Sequence, residues 1–139
     1  MPERIQLQRR RGWRLPANAV SVARPTRWGN MFKAGCLVEE PGPWNGAAAP
    51  YPLGLLPPGR YARGGITLQS YECEIRPVRD RADAVALFRA YIKFHDDLWA
   101  PDLICSELGG KSLACWCPLP AEGEPDICHA AVLLEVSNA

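Results

Sequence analysis

Residues 4–8 (RIQLQ) alternate apolar and polar side chains, the period-two pattern of a half-buried strand. Residues 19–23 (AVSVA) predict a second short strand, and 66–76 (ITLQSYECEIR) a third. Between them, Arg24 to Phe32 (RPTRWGNMF) is a loop, because Pro25 removes a ladder donor and Gly29-Asn30 is turn chemistry. Residues 40–65 hold Pro41, Pro43, Pro50, Pro52, Pro57, Pro58 and six glycines. No regular element fits that composition, which predicts a long irregular insertion loop. The period then changes to that of a helix over 81–99. Val85, Phe88, Ile92, His95 and Trp99 form one stripe, with Ala84, Leu87, Tyr91, Phe94 and Leu98 beside it. Asp83, Ala86, Ala90, Lys93 and Asp97 lie opposite, so the helix is amphipathic with a wide buried face. Asp80 or Asp83 starts it, and His95 reads as a hydrogen-bonded boundary residue rather than a ligand.

The last third of the chain is the most informative. Pro101 opens a short helical turn that Gly109-Gly110 ends. Residues 112–117 (SLACWC) are apolar on both faces, the mark of a central strand, and Pro118 stops them. After the loop 118–125 (PLPAEGEP), Asp126 is the expected cap of a final helix over 127–136. These elements predict one small α/β domain spanning 1–139: a mixed sheet, two main helices and the Pro/Gly-rich loop.

Composition narrows the class. The chain has 139 residues, 47% hydrophobic and 22% charged, which is globular rather than disordered. Its longest apolar runs are too short to span a bilayer, so no membrane role is expected. The basic N-terminus lacks a following apolar core, unlike a secretory signal. Six cysteines are therefore expected as thiols, metal ligands or catalytic groups of a cytoplasmic protein, not as disulfides.

Net charge is only +1 but unevenly spread. Residues 1–33 carry eight basic residues (Arg4, Arg9, Arg10, Arg11, Arg14, Arg24, Arg27, Lys33) against Glu3 alone. A basic end on a neutral chain suggests an anionic ligand, a nucleotide or nucleic acid. Within it, Arg24 and Arg27 suit forked recognition of phosphate, Asn30 adds an amide, and Trp28 offers a ring to stack on a base. The simpler alternative puts Trp28 in the core and pairs the arginines with surface acids.

Cys115, Cys117, Cys128 and His129 fall close together in sequence. On a strand, Cys115 and Cys117 share a face; Cys128 and His129 follow in the first turn of the final helix. Three readings compete. The four can bind zinc, although Cys-x-Cys is tighter than the common spacing and adjacent helical residues diverge by roughly 100°. Cys117 or Cys128 can be a low-pKa nucleophile with His129 as base. Or the cysteines are small buried hydrophobes, the default for Cys36, Cys73 and Cys105.

Taken together, RIQLQRRRGWRLPANAVSVARPTRWGNMF, DAVALFRAYI, ELGGKSLACWCPL and CHAAVLLEV resemble a bacterial and phage family known as domain of unknown function 4326. Its members read like RPTKWGNPF, then ELRGKDLACWCPL and PCHADVLLELAN. The resemblance covers most of the chain outside residues 35–75. Here Met31 replaces the usual proline, Gly109 the frequent arginine, and the loop from Cys117 to Cys128 is longer. The family carries no established activity, so the resemblance implies the pairing of two sites and no reaction. The leading expectation is a small enzyme acting on a nucleotide, nucleobase or nucleic acid through the Cys/His cluster and the Arg/Trp loop. It requires the loop 24–30 to pack beside the start of the final helix. The alternative is a non-enzymatic, zinc-stapled module binding nucleic acid or protein, with a phage-type interaction protein as a third reading.

Overall fold

The computed structural model describes residues 2–40, 58–64, 70–94 and 101–138. The chain is α/β, and it divides into two compact units: Met1–Asn30 with Trp99–Ala139, and Met31–Leu98. The strands accordingly form two three-stranded sheets, one in each unit.

The first unit contains β1 (Arg4–Gln6), β2 (Ala19–Ser21) and β6 (Ser112–Cys115) in the order β1-β6-β2, all parallel. The expected central position of the SLACWC strand is observed. Leu113, Ala114 and Cys115 are all buried, as a strand covered on both faces must be. Ile5 stands opposite Ala114, and Val20 opposite Leu113. Two helices belong to this unit: α2 (Pro101–Leu108) and α3 (His129–Ser137). Gly110, at φ 74°, ends the α2 segment as its sequence predicts. The α3 helix packs against β6 and α2 through Ala130, Val132 and Leu133, all buried.

The second unit contains β3 (Leu37–Glu40), β4 (Gly59–Gly64) and β5 (Ser70–Pro77), antiparallel in the order β3-β5-β4, followed by α1 (Arg81–Phe94). Asp80 caps α1, its Oδ1 accepting from the Asp83 amide at 2.8 Å. Leu87, Phe88, Tyr91 and Ile92 are buried along one face, and Phe32 meets Tyr91 edge-on at 5.9 Å. Arg76 bridges Glu40 (2.6 Å) and Asp83 (2.7 Å), so β3, β5 and the start of α1 share one charge cluster. Hydrogen bonding to Arg76 holds the Asp83 carboxyl well below the usual carboxylate range, against the opposing effect of burial.

The segment 40–65 is corrected: β4 occupies 59–64 of it. Glycines at both ends disguised a strand whose register (Tyr61 opposite Cys73, Arg63 opposite Tyr71) is supplied by β5. Residues 41–57, the start of the predicted 66–76 strand, and His95 and Trp99 of the helical stripe lie outside the described residues.

Candidate metal centre

Because β1, β6 and β2 are parallel, their last residues lie on one edge of the sheet. The loops leaving that edge are 7–18, 22–30 and 116–128. The edge outside the carboxyl ends of parallel strands is where open α/β sheets bind ligands. All of the predicted site residues lie on or beside it.

The strand β6 ends at Cys115, two residues earlier than predicted, and Trp116-Cys117 turn away in a bend. The two sulfurs nevertheless come within 3.9 Å. The α3 helix begins at His129, with Cys128 as its extended N-cap residue (φ −150°, ψ 142°). The expected capping role of Asp126 is corrected. Cys128 takes that position without a side-chain cap, and Asp126 turns instead to Arg4, with Nε to Oδ2 at 2.6 Å. The ion pair satisfies a carboxylate that is 19% exposed, which outweighs a capping bond of about 1 kcal/mol. Because Cys128 is not yet helical, it and His129 do not diverge as two helical neighbours would.

The result is a compact donor set. The Sγ atoms of Cys115, Cys117 and Cys128 all lie within 4.8 Å of one another and could hold a metal ion. Cys115 and Cys128 are buried, and Cys117 is half-buried. The buried His129 places Nδ1 at 4.0 Å from Cys115 Sγ and 3.9 Å from Cys128 Sγ. Its Nε2 lies 2.7 Å from the Val22 carbonyl oxygen. A carbonyl only accepts, so Nε2 carries the hydrogen and donates it, leaving the Nδ1 lone pair facing the two sulfurs. A carbonyl behind a ligating imidazole is the usual outer partner of a metal-bound histidine.

Electrostatics inside the cluster are lopsided. Hydrogen bonding with the Cys117 and Cys128 thiols draws Cys115 far below the ordinary thiol range, against the opposing effect of burial. The same contacts, with burial, push Cys128 far above it. The two opposite directions belong to one coupled set of thiols, in which the N-cap residue Cys128 is fully enclosed and Cys115 has a sulfur neighbour on either side.

Arg4 organises the loop around this cluster. Its side chain is 4% exposed. Nη1 donates to the Cys117 carbonyl at 2.8 Å, Nη2 to the Pro118 carbonyl at 2.5 Å, and Nε to Asp126. The guanidinium therefore ties the beginning of the 116–128 loop to its end and holds Cys117 near Cys128. Burial, the largest single effect, would lower the Arg4 pKa; the Asp126 bond together with the charge attraction of Asp126 and the neighbouring sulfurs outweighs it, and the pKa is raised.

The second candidate loop is closed on itself. The Thr26 amide and hydroxyl both bond the Ala23 carbonyl, and the Gly29 amide bonds Thr26. Arg24 Nη1 donates to the Asn30 carbonyl at 3.1 Å. Asn30 and Trp28 are buried, Trp28 presenting 7% of its surface, with the Arg27 guanidinium 4.9 Å from its ring centre. Arg27 also pairs with Glu107 of α2 at 3.2 Å. The entrance to this loop, at Val22, meets the start of α3 through His129. Among the described residues of this unit the exposed indole is Trp116, at 44%, with Arg9 stacked 4.9 Å from its ring centre. Neither Arg4, counted only among the basic residues of 1–33, nor Trp116 was singled out from sequence.

A family profile matches residues 5–139, running through the middle segment that the quoted motifs leave out. The chain belongs to the family Domain of unknown function (DUF4326). It matches no curated protein and no solved structure. In this DUF4326 chain, both family-like motifs, RPTRWGN and ACWCPL…CHA, fall in the parallel-sheet unit. No helix of the described residues is long and apolar enough to cross a membrane.

Proposed function

We propose that the parallel-sheet unit is a zinc-stapled module that binds an anionic nucleotide or nucleic acid at the carboxyl edge of its sheet. The observation that carries this reading is the orientation of His129. The Val22 carbonyl fixes the ring so that Nδ1 faces Cys115 and Cys128, at 4.0 and 3.9 Å, and in this reading it is the fourth donor to an ion that the three sulfurs hold. Three thiolates and an imidazole are the donor chemistry of structural zinc. Tetrahedral zinc with bonds of about 2.3 Å separates its sulfurs by about 3.8 Å. The observed 3.9 Å between Cys115 and Cys117 is close to that value. Four protein donors close the coordination shell, which favours a staple over a catalytic ion. The exposed arginines of loops 7–18 and 22–30 supply the positive potential for an anion.

Elemental mass spectrometry of protein purified without tag or chelator tests the staple. About one zinc per chain, and a fall in melting temperature with a strong chelator, is the expected result. Nucleic-acid binding that weakens steeply with salt is the second expectation. A metal-free protein whose melting a chelator leaves unchanged refutes the staple.

A second reading has an observation of its own: the depressed thiol of Cys115 beside His129 Nδ1. In it the chain is an enzyme acting on a nucleotide, with a thiolate nucleophile. It expects metal-free protein in which Cys115 alkylates ahead of Cys117 and Cys128.

A further inference from the structure

Among the described residues, the exposed large apolar side chains are Trp116, Leu119 and Ile127, at 44%, 51% and 37%. All three lie on the loop from β6 to α3 that wraps the thiol cluster. Two of them have contacts to the loop or strand on the other side of the edge. Trp116 has Arg9 stacked on it, the Leu119 amide donates to Gln6 Oε1 at 3.4 Å, and Ile127 precedes the buried Cys128. Isolated apolar residues on a surface need no explanation, but three on one loop beside a candidate binding edge do.

The charge around them selects the occupant. Arg9, Arg10, Arg11 and Arg14 are exposed on the loop that leaves the same sheet edge. The acids of the apolar loop are Glu122 and Glu124 at its far turn, and Asp126, which is tied to Arg4. A ligand suited to an open indole backed by Arg9, on an edge whose neighbouring loop carries further exposed arginines, is anionic and presents flat apolar faces. In a double helix those faces are stacked away; in a single strand they are available.

We infer that Trp116, backed by Arg9, is a base-stacking platform for single-stranded nucleic acid. This rests on the anion-binding reading above and specifies its ligand. Arg9 orients the indole from one side and meets a phosphate, while the other ring face takes a base. Leu119 and Ile127 shield that base from water.

The test is fluorescence anisotropy of zinc-loaded protein with labelled oligothymidylate, oligouridylate and a duplex, each about 15 nucleotides long. Single strands bind the wild type, and Trp116→Ala weakens them roughly 5- to 100-fold, the range for loss of one stacked base. Trp116→Phe stays within about threefold of wild type, because it keeps a ring. Trp116→Leu keeps apolar bulk without the ring and weakens binding as alanine does. Duplex affinity, carried by phosphate contacts alone, is unchanged in all three. Zinc content equal to wild type certifies each variant, and Phe against Leu decides the matter where alanine disturbs the metal. The two oligonucleotides separate a DNA from an RNA ligand. Wild-type affinity for single strands in zinc-replete alanine or leucine variants overturns the platform while leaving the anion-binding reading intact. A wild type that binds neither strand nor duplex at low salt overturns both. Self-association that Trp116→Ala abolishes makes the patch an interface between copies of this chain and also overturns it.

Discussion

Arg4→Ala removes one side chain at the N-terminal end of the fold and is expected to loosen a site built more than a hundred residues later. The magnitude follows from what is left behind. The Arg4 side chain is 4% exposed and its partner Asp126 19%, so truncation leaves a largely buried carboxylate without its cation. Breaking such a pair from one side costs about 3–5 kcal/mol. The carbonyls of Cys117 and Pro118 lose donors as well, but Pro118 is exposed and water replaces its bond. A loss of about 3–5 kcal/mol is a large share of the ~5–15 kcal/mol that keeps a domain folded. Urea unfolding of zinc-loaded protein, followed by far-ultraviolet circular dichroism, measures it. Because Arg4 also positions Cys117, competition with a chromophoric chelator is expected to show zinc affinity lowered roughly tenfold. The double variant Arg4→Met with Asp126→Leu removes both charges and is expected to recover most of the stability but not the metal affinity. An Arg4→Ala penalty below about 1 kcal/mol, the value of a surface pair, would refute the account of Arg4 as a buried clamp.

Three further outcomes are expected. His129→Ala lowers zinc affinity at least roughly tenfold in the same chelator competition, and unchanged affinity would restrict the metal site to the three cysteines. Gly29→Ala costs about 1–3 kcal/mol by thermal melting, because an added Cβ would lie 2.9 Å from Arg24 Cγ and 3.0 Å from Arg24 Cα, forcing the loop backbone to shift. Asp83 has its folded pKa lowered, so its contribution is complete above the unfolded carboxylate value of about 4 and is lost as pH falls below it. Arg76→Met removes that acid sensitivity, and parallel acid-unfolding curves for variant and wild type would contradict it.

Elements were legible where a local pattern determines the outcome. The α1 helix announces itself because its apolar positions repeat at the helical period, and Asp80 is the kind of residue that caps. The central place of β6 follows from apolar residues on both faces. The β4 strand was not legible because Gly59, Gly64 and Gly65 read as loop, and only pairing with β5 outweighs that preference. The cysteine cluster was legible as a set of donors, since the residue types lie close in sequence. Its geometry was not. Whether Cys128 is helical or extended depends on where α3 starts, and Asp126 was drawn away from that start by Arg4, a partner 122 positions distant. The same holds for Trp28 and Trp116. Either indole could have been the open one, and tertiary packing buried the one in the more suggestive motif.

The parallel-sheet unit is built from two separated stretches, and its middle strand comes from the second. This has a consequence for birth on the ribosome. β1 and β2 touch β6 on either side and not each other. Both therefore emerge with no strand to pair with and must wait, through the synthesis of the whole antiparallel unit, for residues 112–115. That unit is continuous in sequence and free to form first. Pairings between such distant segments are slow, and the waiting edges are open to wrong partners. The thiols of the cluster are made well after β1 and β2, so a metal ion captured there closes a sheet around two strands that have been waiting for it.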